Sequence, residues 1–194
     1  MKQAFAVPAG TEALIFDCDG TLVNTLPIYA QAWAYGFRPS GREMQQQWYF
    51  DRAGYSEHSL MDLFEAEHGV RVDRDQVVQL MRRRFLVDIG AVQEIAAVAS
   101  IARQNAAVLP MAVASGGSRQ IVEACLEAAG LRSIFGAVVT IDDVIRPKPA
   151  PDLFLTAADR LGALPRKCVA FEDSEQGLEA ALQAGMTAID VRTL

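Results

Sequence analysis

The chain has 194 residues, a length that fits one domain or one domain carrying an insertion. Hydrophobic residues make up 51% of the sequence and charged residues 22%, as is ordinary for a soluble globular protein with a sizeable core. The formal net charge of −6 argues against a nucleic-acid partner, because such proteins normally carry a basic patch. No apolar run approaches the length that spans a membrane, so we expect no membrane partner.

The cysteines indicate the redox compartment. There are three, Cys18, Cys125 and Cys168, and each lies in an apolar run or a predicted strand. An odd number in such positions favours reduced, buried thiols in a reducing compartment. The first residues contain no continuous apolar stretch typical of a secretory signal, so we expect a cytoplasmic location. Because no coiled-coil pattern is present, we expect a monomer or a weak homo-oligomer.

The first part of the chain predicts one strand followed by helices. Ala13–Phe16 is a run of four apolar residues, typical of a fully buried strand, and Gly20 marks the turn after it. A helix is predicted over 25–35, and apolar stripes at helical spacing predict two more over 56–68 and 73–87. Between residue 35 and about residue 89, no convincing strand is predicted. This helical block predicts an inserted cap over 25–89, in a core made of 1–24 and 90–194.

In the second part, strands and helices alternate. The predicted elements are a helix over 92–103, a strand over 111–115, a helix over 118–130, a strand over 137–140, a helix over Asp152–Leu161, a strand over Cys168–Glu172, a helix ending at Ala184 and a strand over 187–191. Alternating units of this length imply right-handed crossovers between parallel strands. The sequence therefore predicts an α/β fold, a doubly wound parallel sheet of Rossmann type with a small α-helical cap.

Polar, chemically capable residues stand at the ends of three predicted strands. Asp17 and Asp19 follow the first, Ser115 ends the second, and Glu172 and Asp173 stand at the end of the fourth. The carboxyl ends of parallel strands lie at one edge of a sheet, so we expect these side chains to converge. Four carboxylates in one crevice repel one another and need a hard cation, and oxygen ligands suit magnesium.

Lys148 is the cation expected beside these acids. Pro147 and Pro149 stiffen the loop that carries it, which suits a lysine that must direct one charge to a fixed place. The alternative is an ordinary surface lysine. Glu172 and Asp173 also have an alternative, since acids at a helix start can cap the helix and offset its dipole. That alternative does not explain why Glu172 ends a buried strand.

Four segments together resemble the four motifs of the haloacid dehalogenase superfamily. They are Asp17-x-Asp19-Gly20-Thr21, the strand ending at Ser115, Lys148-Pro149-x-Pro151-Asp152 and Glu172-Asp173-Ser174-x-x-Gly177. The resemblance covers 13–191, and the helical insert is similar to the small cap of the subgroup that holds β-phosphoglucomutases, phosphoglycolate phosphatases and sugar phosphatases. The last two motifs and the ending Ala188-Ile-Asp-Val-Arg192 are most similar to fructose-1-phosphate and 6-phosphogluconate phosphatases.

This resemblance implies a magnesium-dependent phosphomonoester hydrolase acting on a small phosphorylated metabolite, a sugar phosphate such as fructose 1-phosphate or 6-phosphogluconate. Asp17 would be the nucleophile, giving an aspartyl-phosphate. Asp19 would protonate the leaving oxygen and later deprotonate the hydrolytic water. Magnesium would be held by Asp17, the backbone carbonyl of Asp19, and Asp173, with Glu172 completing the metal-binding set.

The resemblance also implies groups that bind the phosphate. The hydroxyl of Ser115 and the amide of Gly116 would donate hydrogen bonds to the phosphoryl group, and Lys148 would add a point charge. Thr21, in the first motif, is a further phosphate-binding candidate. His58 in the cap is a candidate for binding a sugar hydroxyl or phosphate, with a solvated residue in the first turn of a helix as its alternative.

Departures from the family pattern bear on the reaction. Mutases of the subgroup carry an Asp and a His where this chain has Asn24 and Tyr29, and an Arg after a cap glycine where this chain has Tyr55. Without that Arg, the second phosphate of a mutase would need a cation from Arg82-Arg83-Arg84. Asp19 argues against a dehalogenase, because dehalogenases lack the second acid. A phosphomutase and a non-catalytic regulatory or interaction module are the alternatives to a phosphatase.

Overall fold

The computed structural model describes residues 5–194. Its helices are α1 (Leu26–Gly36), α2 (Gln46–Phe50), α3 (Glu57–His68), α4 (Arg74–Val87), α5 (Ala96–Asn105), α6 (Arg119–Ala128), α7 (Asp152–Leu161) and α8 (Glu175–Gln183). Its strands are β1 (Ala13–Phe16), β2 (Val23–Asn24), β3 (Gln93–Glu94), β4 (Met111–Ala114), β5 (Ala137–Val139), β6 (Cys168–Glu172) and β7 (Thr187–Asp190). Within this range, no helix combines the length and the apolar character that a membrane crossing requires.

A five-stranded parallel sheet in the order β5-β4-β1-β6-β7 organises the larger part of the chain. β1 lies at its centre, and Phe16 is in register with Val113 of β4 and with Phe171 of β6. Because the strands are parallel, their carboxyl ends meet at one edge. The predicted α/β fold with a doubly wound parallel sheet is confirmed.

Small side chains on one face of this sheet allow two helices to pack closely. Ala13, Ile15, Ala112, Ala114 and Ala170 form a buried cluster with apolar residues of α7 and α8. Successive strand residues point to opposite faces, so Phe16 and Phe171 lie on the other face. Their rings stack with centroids 4.6 Å apart. Both faces of the sheet therefore carry buried side chains.

The chain divides into two compact units, one formed by 1–24 and 93–194 and the other by 25–92. The larger unit contains the sheet, and it also contains β2 and β3, which pair antiparallel where the chain leaves this unit and returns to it. The smaller unit is entirely helical in its regular structure. It spans 25–92, compared with 25–89 for the predicted cap, and its role as a cap stays a prediction.

Close packing of α1 on α4 and a stack of aromatic rings hold the smaller unit together. A Cβ atom on Gly36 would lie 2.8 Å from the carbonyl oxygen of Val77, so glycine permits this approach of the two helices. The rings of Phe37 and Phe64 stack with centroids 3.8 Å apart, and His68 stacks on the other side of Phe64 at 4.2 Å.

The structure differs from the sequence-based elements at two places. The helix predicted over 92–103 begins at Ala96, because Gln93 and Glu94 pair with β2 instead. That pairing joins segments far apart in the chain, which local periodicity does not register. The short helix α2 has no separate counterpart among the predictions, since five residues are too few to show a helical period.

Glu65 fixes the connection between α3 and α4. Its side chain is 8% exposed. One carboxylate oxygen accepts the backbone N–H of Val72 at 3.0 Å, and the other accepts Arg74 at 2.8 Å and Arg71 at 3.1 Å. The backbone hydrogen bond from Val72, together with the bond from Arg74, holds the pKa of Glu65 below its usual value near 4.5. The ionised form of Glu65 therefore stabilises the fold.

Replacing this carboxylate should change the dependence of stability on pH. A carboxyl whose pKa is lowered by folding contributes stability above its unfolded pKa, and that contribution is lost as the pH falls through the folded pKa. Glu65→Gln should therefore lower Tm at about pH 7, and the difference from the wild type should shrink towards about pH 4. Thermal melts over this range measure it.

Glu127→Gln is the matched control, because Glu127 is an exposed residue of α6. It should leave Tm unchanged at each pH. A difference between Glu65→Gln and wild type that stays constant over the whole pH range would contradict the role of the charge on Glu65.

Candidate active site

Two buried carboxylates lie side by side at the carboxyl edge of the sheet. Asp17 directly follows β1, and its backbone N–H donates to the carbonyl oxygen of Phe171 at 2.9 Å, which continues the ladder between β1 and β6. Glu172 is the last residue of β6. Asp17 is 5% exposed and Glu172 1% exposed. Carboxylates removed from water in this way need a cation nearby.

Lys148 provides a positive charge between these two acids. Its Nζ donates to Oδ1 of Asp17 and to Oε1 of Glu172, both at 2.6 Å. The ammonium also lies 5.2 Å from the centre of the Phe154 ring. Burial alone would lower the pKa of Lys148, but the charges of Asp17 and Glu172 raise it above its usual value. Lys148 is therefore a permanent cation at this site.

The second oxygen of Glu172 is bound to the start of α8. Oε2 accepts the backbone N–H of Ser174 at 2.7 Å and its hydroxyl at 2.9 Å. The same hydroxyl accepts the N–H of Gly177 at 3.1 Å, which caps the helix. Glu172 thus joins Lys148 on one side to a helix N-terminus on the other, and both of its oxygens have donors.

Asp173 comes next in the chain, and Thr21 orients it. The hydroxyl of Thr21, which is fully buried, donates to Oδ1 of Asp173 at 3.0 Å. Gly20 has a φ of +85°, and a Cβ atom there would overlap the carboxylate of Asp173. Burial and the neighbouring charge of Glu172 raise the pKa of Asp173 to about 6. The first motif thus shapes the position of a carboxylate that belongs to the fourth.

Ser115 follows β4 on the other side of β1 and faces Asp19. Its hydroxyl donates to Oδ2 of Asp19 at 3.4 Å, a long hydrogen bond, and accepts the N–H of Gly117 at 3.0 Å. Ser115 is buried, whereas Gly116 beside it is exposed. The hydroxyl of Ser115 therefore lies beside Asp19, and the exposed backbone of Gly116 follows it.

Three of the acids can approach a single cation. One oxygen from each of Asp17, Glu172 and Asp173 lies within 4.8 Å of the other two. Burial raises the pKa of Asp17 well above its usual value, and the ammonium of Lys148 opposes that shift. Buried carboxylate oxygens at such distances are the ligands that hard divalent cations prefer. The donor set, with Gly20 leaving room for Asp173, fits a divalent cation.

The structure therefore brings together most of the predicted site residues. Asp17, Lys148, Glu172 and Asp173 are joined by short contacts through the lysine and the shared acidic cluster. Ser115 contacts Asp19 instead of Lys148. The hydroxyl of Thr21 donates to Asp173, so its binding of a phosphate stays a prediction.

The candidate residues of the smaller unit have contacts of their own within that unit. His58 is exposed in the first turn of α3. Arg82 pairs with Glu57 at 3.1 Å, and Arg84 pairs with Asp88 at 2.7 Å. In these ion pairs, Glu57 and Asp88 partly neutralise the arginines that a mutase would need to bind its second phosphate. A contact between His58 and the substrate stays a prediction.

Two residues with a clear place in this cluster were not predicted as site residues from the sequence. Ser174 and Gly177 both contact or adjoin the carboxylate of Glu172. The signal was the segment Glu172-Asp173-Ser174-x-x-Gly177, which the resemblance included without a function for its last two named residues. The ring of Phe154 lies next to the ammonium of Lys148. Its apolar position in a predicted helix was the sole sequence signal, and that signal does not indicate a place at the site.

Comparison with known proteins agrees with this geometry. The sequence model of a hydrolase family described as haloacid dehalogenase-like hydrolase matches residues 11–185. The chain belongs to the haloacid dehalogenase-like hydrolases. Fructose-1-phosphate phosphatase YqaB of Escherichia coli K12 is 36% identical to this chain, over 93% of this chain and 96% of that protein. Hexitol phosphatase A of the same organism is 30% identical, over 93% of this chain and 82% of that protein.

A solved structure of the same type is CbbY from Rhodobacter sphaeroides in complex with phosphate. It matches with a TM-score of 0.82 at 26% identity, over 92% of this chain and 84% of that chain. The haloacid dehalogenase-like family and the two phosphatase relatives identify the chain as a phosphatase.

The charge of Lys148 should contribute strongly to stability. Lys148→Met would leave the buried carboxylates of Asp17 and Glu172 without their cation, and removing one partner of a buried ion pair is costly. We expect the free energy of unfolding to fall by about 3 kcal/mol at neutral pH in the presence of a chelator. Urea denaturation measures this change.

Lys167→Met is the matched control. Lys167 also makes a 2.6 Å ion pair, with Glu12, but both side chains are about 40% exposed, at 43% and 41%. An exposed pair contributes about 1 kcal/mol or less, so the control should lose little stability. Equal losses in the two variants would show that burial of the Lys148 cluster has no special energetic importance.

Proposed function

We propose that this protein is a magnesium-dependent phosphomonoesterase that acts on a small sugar phosphate through an aspartyl-phosphate at Asp17. The observation that carries the proposal is the buried contact of Lys148 with Asp17, inside a cluster of carboxylates that fits a divalent cation. A phosphoryl group needs such a combination, because its oxygens carry negative charge that repels an anionic nucleophile.

The substrate class is supported by the relatives. The two phosphatases described above are named for fructose 1-phosphate and for hexitol phosphates, and the fructose-1-phosphate phosphatase is matched over nearly its whole length. A sugar phosphate such as fructose 1-phosphate or 6-phosphogluconate is therefore the substrate that we propose. We also propose that the smaller unit, 25–92, serves as the cap and that Thr21 and His58 contribute to substrate binding.

In the first half-reaction, one carboxylate oxygen of Asp17 attacks the phosphorus atom in line with the ester oxygen. The new bond joins Asp17 to phosphorus, and the bond between phosphorus and the ester oxygen breaks. Asp19, in its protonated form, gives its proton to the leaving oxygen, so that a neutral sugar hydroxyl departs.

In the second half-reaction, water hydrolyses the aspartyl-phosphate. Asp19 is now a carboxylate and takes a proton from the water as the water oxygen attacks phosphorus. The bond between Asp17 and phosphorus breaks, which releases inorganic phosphate and restores the Asp17 carboxylate. One acid therefore serves both steps, and the enzyme returns to its starting protonation state.

The remaining groups hold the phosphoryl oxygens and the cation. Ser115, the amide of Gly116 and the ammonium of Lys148 would donate hydrogen bonds or charge to the phosphoryl group. Asp17, the backbone carbonyl of Asp19, and Asp173 would hold Mg²⁺, with Glu172 beside them. The cation supplies charge that offsets the repulsion between the nucleophile and the phosphate.

The location and assembly state are part of the proposal. Cys18, Cys125 and Cys168 are all buried and free, which supports a reducing compartment such as the cytoplasm. We propose that the enzyme acts there as a monomer or a weak homo-oligomer, with no nucleic-acid or membrane partner.

Asp17→Asn tests the nucleophile. The amide has nearly the shape of the carboxylate but cannot form the aspartyl-phosphate, so the fold should persist while turnover falls on the order of 10⁴- to 10⁶-fold. A phosphate-release assay over several dozen phosphorylated metabolites, with p-nitrophenyl phosphate as a general substrate, measures this change.

Asp159→Asn serves as the control for that assay, because Asp159 is an exposed residue of α7. It should keep the activity of the wild type. Wild-type activity in Asp17→Asn would overturn the assignment of the nucleophile. A phosphorus NMR time course with glucose 1-phosphate as substrate distinguishes a phosphomutase. Formation of an isomeric sugar phosphate with little release of phosphate would favour that alternative.

Binding of the cation can be tested separately from turnover. A Mg²⁺ ion that binds the folded protein and not the unfolded chain should raise Tm, and the increase should continue with the logarithm of the Mg²⁺ concentration above Kd. Asp173→Asn removes one ligand charge and should abolish this increase, whereas Asp159→Asn should retain it. Melting curves recorded during a titration with MgCl₂ measure the effect. An equal increase in all three proteins would place the cation elsewhere.

A further inference from the structure

Ser174 contacts Glu172 through two donors at once. Its backbone N–H and its hydroxyl both donate to Oε2 of Glu172, at 2.7 and 2.9 Å. The opposite oxygen of the same carboxylate accepts Lys148 at 2.6 Å. Since a carboxylate is planar and rigid, donors that fix one oxygen also fix the direction of the other. The two hydrogen bonds from Ser174 therefore determine the position of Oε1 of Glu172, the oxygen that accepts from Lys148.

Gly177 completes this support from the first turn of α8. A Cβ atom at this position would overlap the carboxylate group of Glu172, so only glycine leaves room for the carboxylate to lie against the helix. The N–H of Gly177 donates to the hydroxyl of Ser174 at 3.1 Å, which leaves the hydroxyl proton of Ser174 directed at Glu172. The start of α8 is thus shaped around the carboxylate of Glu172.

From these contacts we propose that Ser174 and Gly177 are positioning residues that act on Lys148 through Glu172. This inference rests on the proposed phosphatase function, in which Lys148 acts on the phosphoryl group. Neither residue touches the substrate. They hold the carboxylate of Glu172 in the orientation that places the ammonium of Lys148 against Asp17.

Three substitutions of Ser174 separate this role from simple capping of α8. Ser174→Ala removes both the cap acceptor and the hydroxyl donor. Ser174→Asp keeps an acceptor that can cap the helix, but it loses the donor and repels Glu172. Ser174→Thr keeps the acceptor and the donor. Ser56→Ala is a matched control, because Ser56 caps α3 by the same kind of bond, from the N–H of Ser59.

Activity should follow the hydroxyl donor and not the cap. We expect kcat/KM to fall about 10- to 100-fold in Ser174→Ala and in Ser174→Asp, the range found when a residue that orients an active-site ligand is lost. Ser174→Thr should keep the kcat/KM of the wild type. Ser56→Ala should lower Tm as Ser174→Ala does but leave kcat/KM unchanged. Gly177→Ala should also lower kcat/KM, because it displaces Glu172 while alanine favours the helix.

A measurement that does not depend on turnover reports on Lys148 directly. The sequence has only three lysines, Lys2, Lys148 and Lys167, so ¹⁵N-lysine labelling gives a simple spectrum of the ammonium groups. The ammonium of Lys148 is buried and donates two hydrogen bonds, so its cross-peak should be protected from exchange with water. The loss of this cross-peak in Lys148→Arg assigns it. Ser174→Thr should keep this cross-peak, and Ser174→Ala and Ser174→Asp should broaden or lose it.

Each outcome decides the proposal. Full activity or an unchanged Lys148 cross-peak in Ser174→Asp would overturn it, since capping would then suffice. A loss of activity with the cross-peak unchanged would overturn it too, because Ser174 would not act through Lys148. No protected cross-peak in the wild type would contradict the geometry on which it is based. A wild type that hydrolyses no phosphomonoester refutes the proposed function alone, because the spectra test the positioning independently.

Discussion

The ammonium of Lys148, shared between Asp17 and Glu172 at 2.6 Å from each, is the interaction on which the site depends. Three carboxylates with oxygens within 4.8 Å of one another repel strongly when they are removed from water. One fixed cation cannot neutralise all three, so the cluster retains affinity for a second positive charge. A buried lysine beside surplus carboxylates is therefore an arrangement that fits a divalent cation.

The parallel sheet makes this arrangement possible. Adjacent strands β1 and β6 place Asp17 and Glu172 at neighbouring positions of one edge, because Phe16 and Phe171 are in register. Small alanines on one face let α7 and α8 pack close to the strands, and α8 then begins beside Glu172. The chemistry thus depends on contacts between segments far apart in the chain, each of which arrives at the edge at the end of its own strand.

Sequence reasoning could find these positions because buried strands appear as apolar runs and the polar residue after each run marks its end. That logic gives Asp17, Ser115 and Glu172, whereas Lys148 is predicted from the prolines that stiffen its loop. It could not give directions of side chains. The hydrogen bond of Thr21 to Asp173, and the hold of Ser174 on Glu172, depend on where rotamers point after packing. The pairing of β2 with β3 was not predicted for a related reason, because strands of two residues are too short to show an alternating pattern.

The covalent role of Asp17 is the central claim, and chemical trapping tests it most directly. The protein is mixed with a sugar phosphate that it hydrolyses, and the reaction is quenched with borohydride during turnover. Position 17 should then contain homoserine, because borohydride reduces an acyl phosphate to an alcohol. Peptide mass spectrometry should find this change only when substrate is present. Homoserine at position 19, or no substrate-dependent change at all while phosphate is being released, would contradict the account.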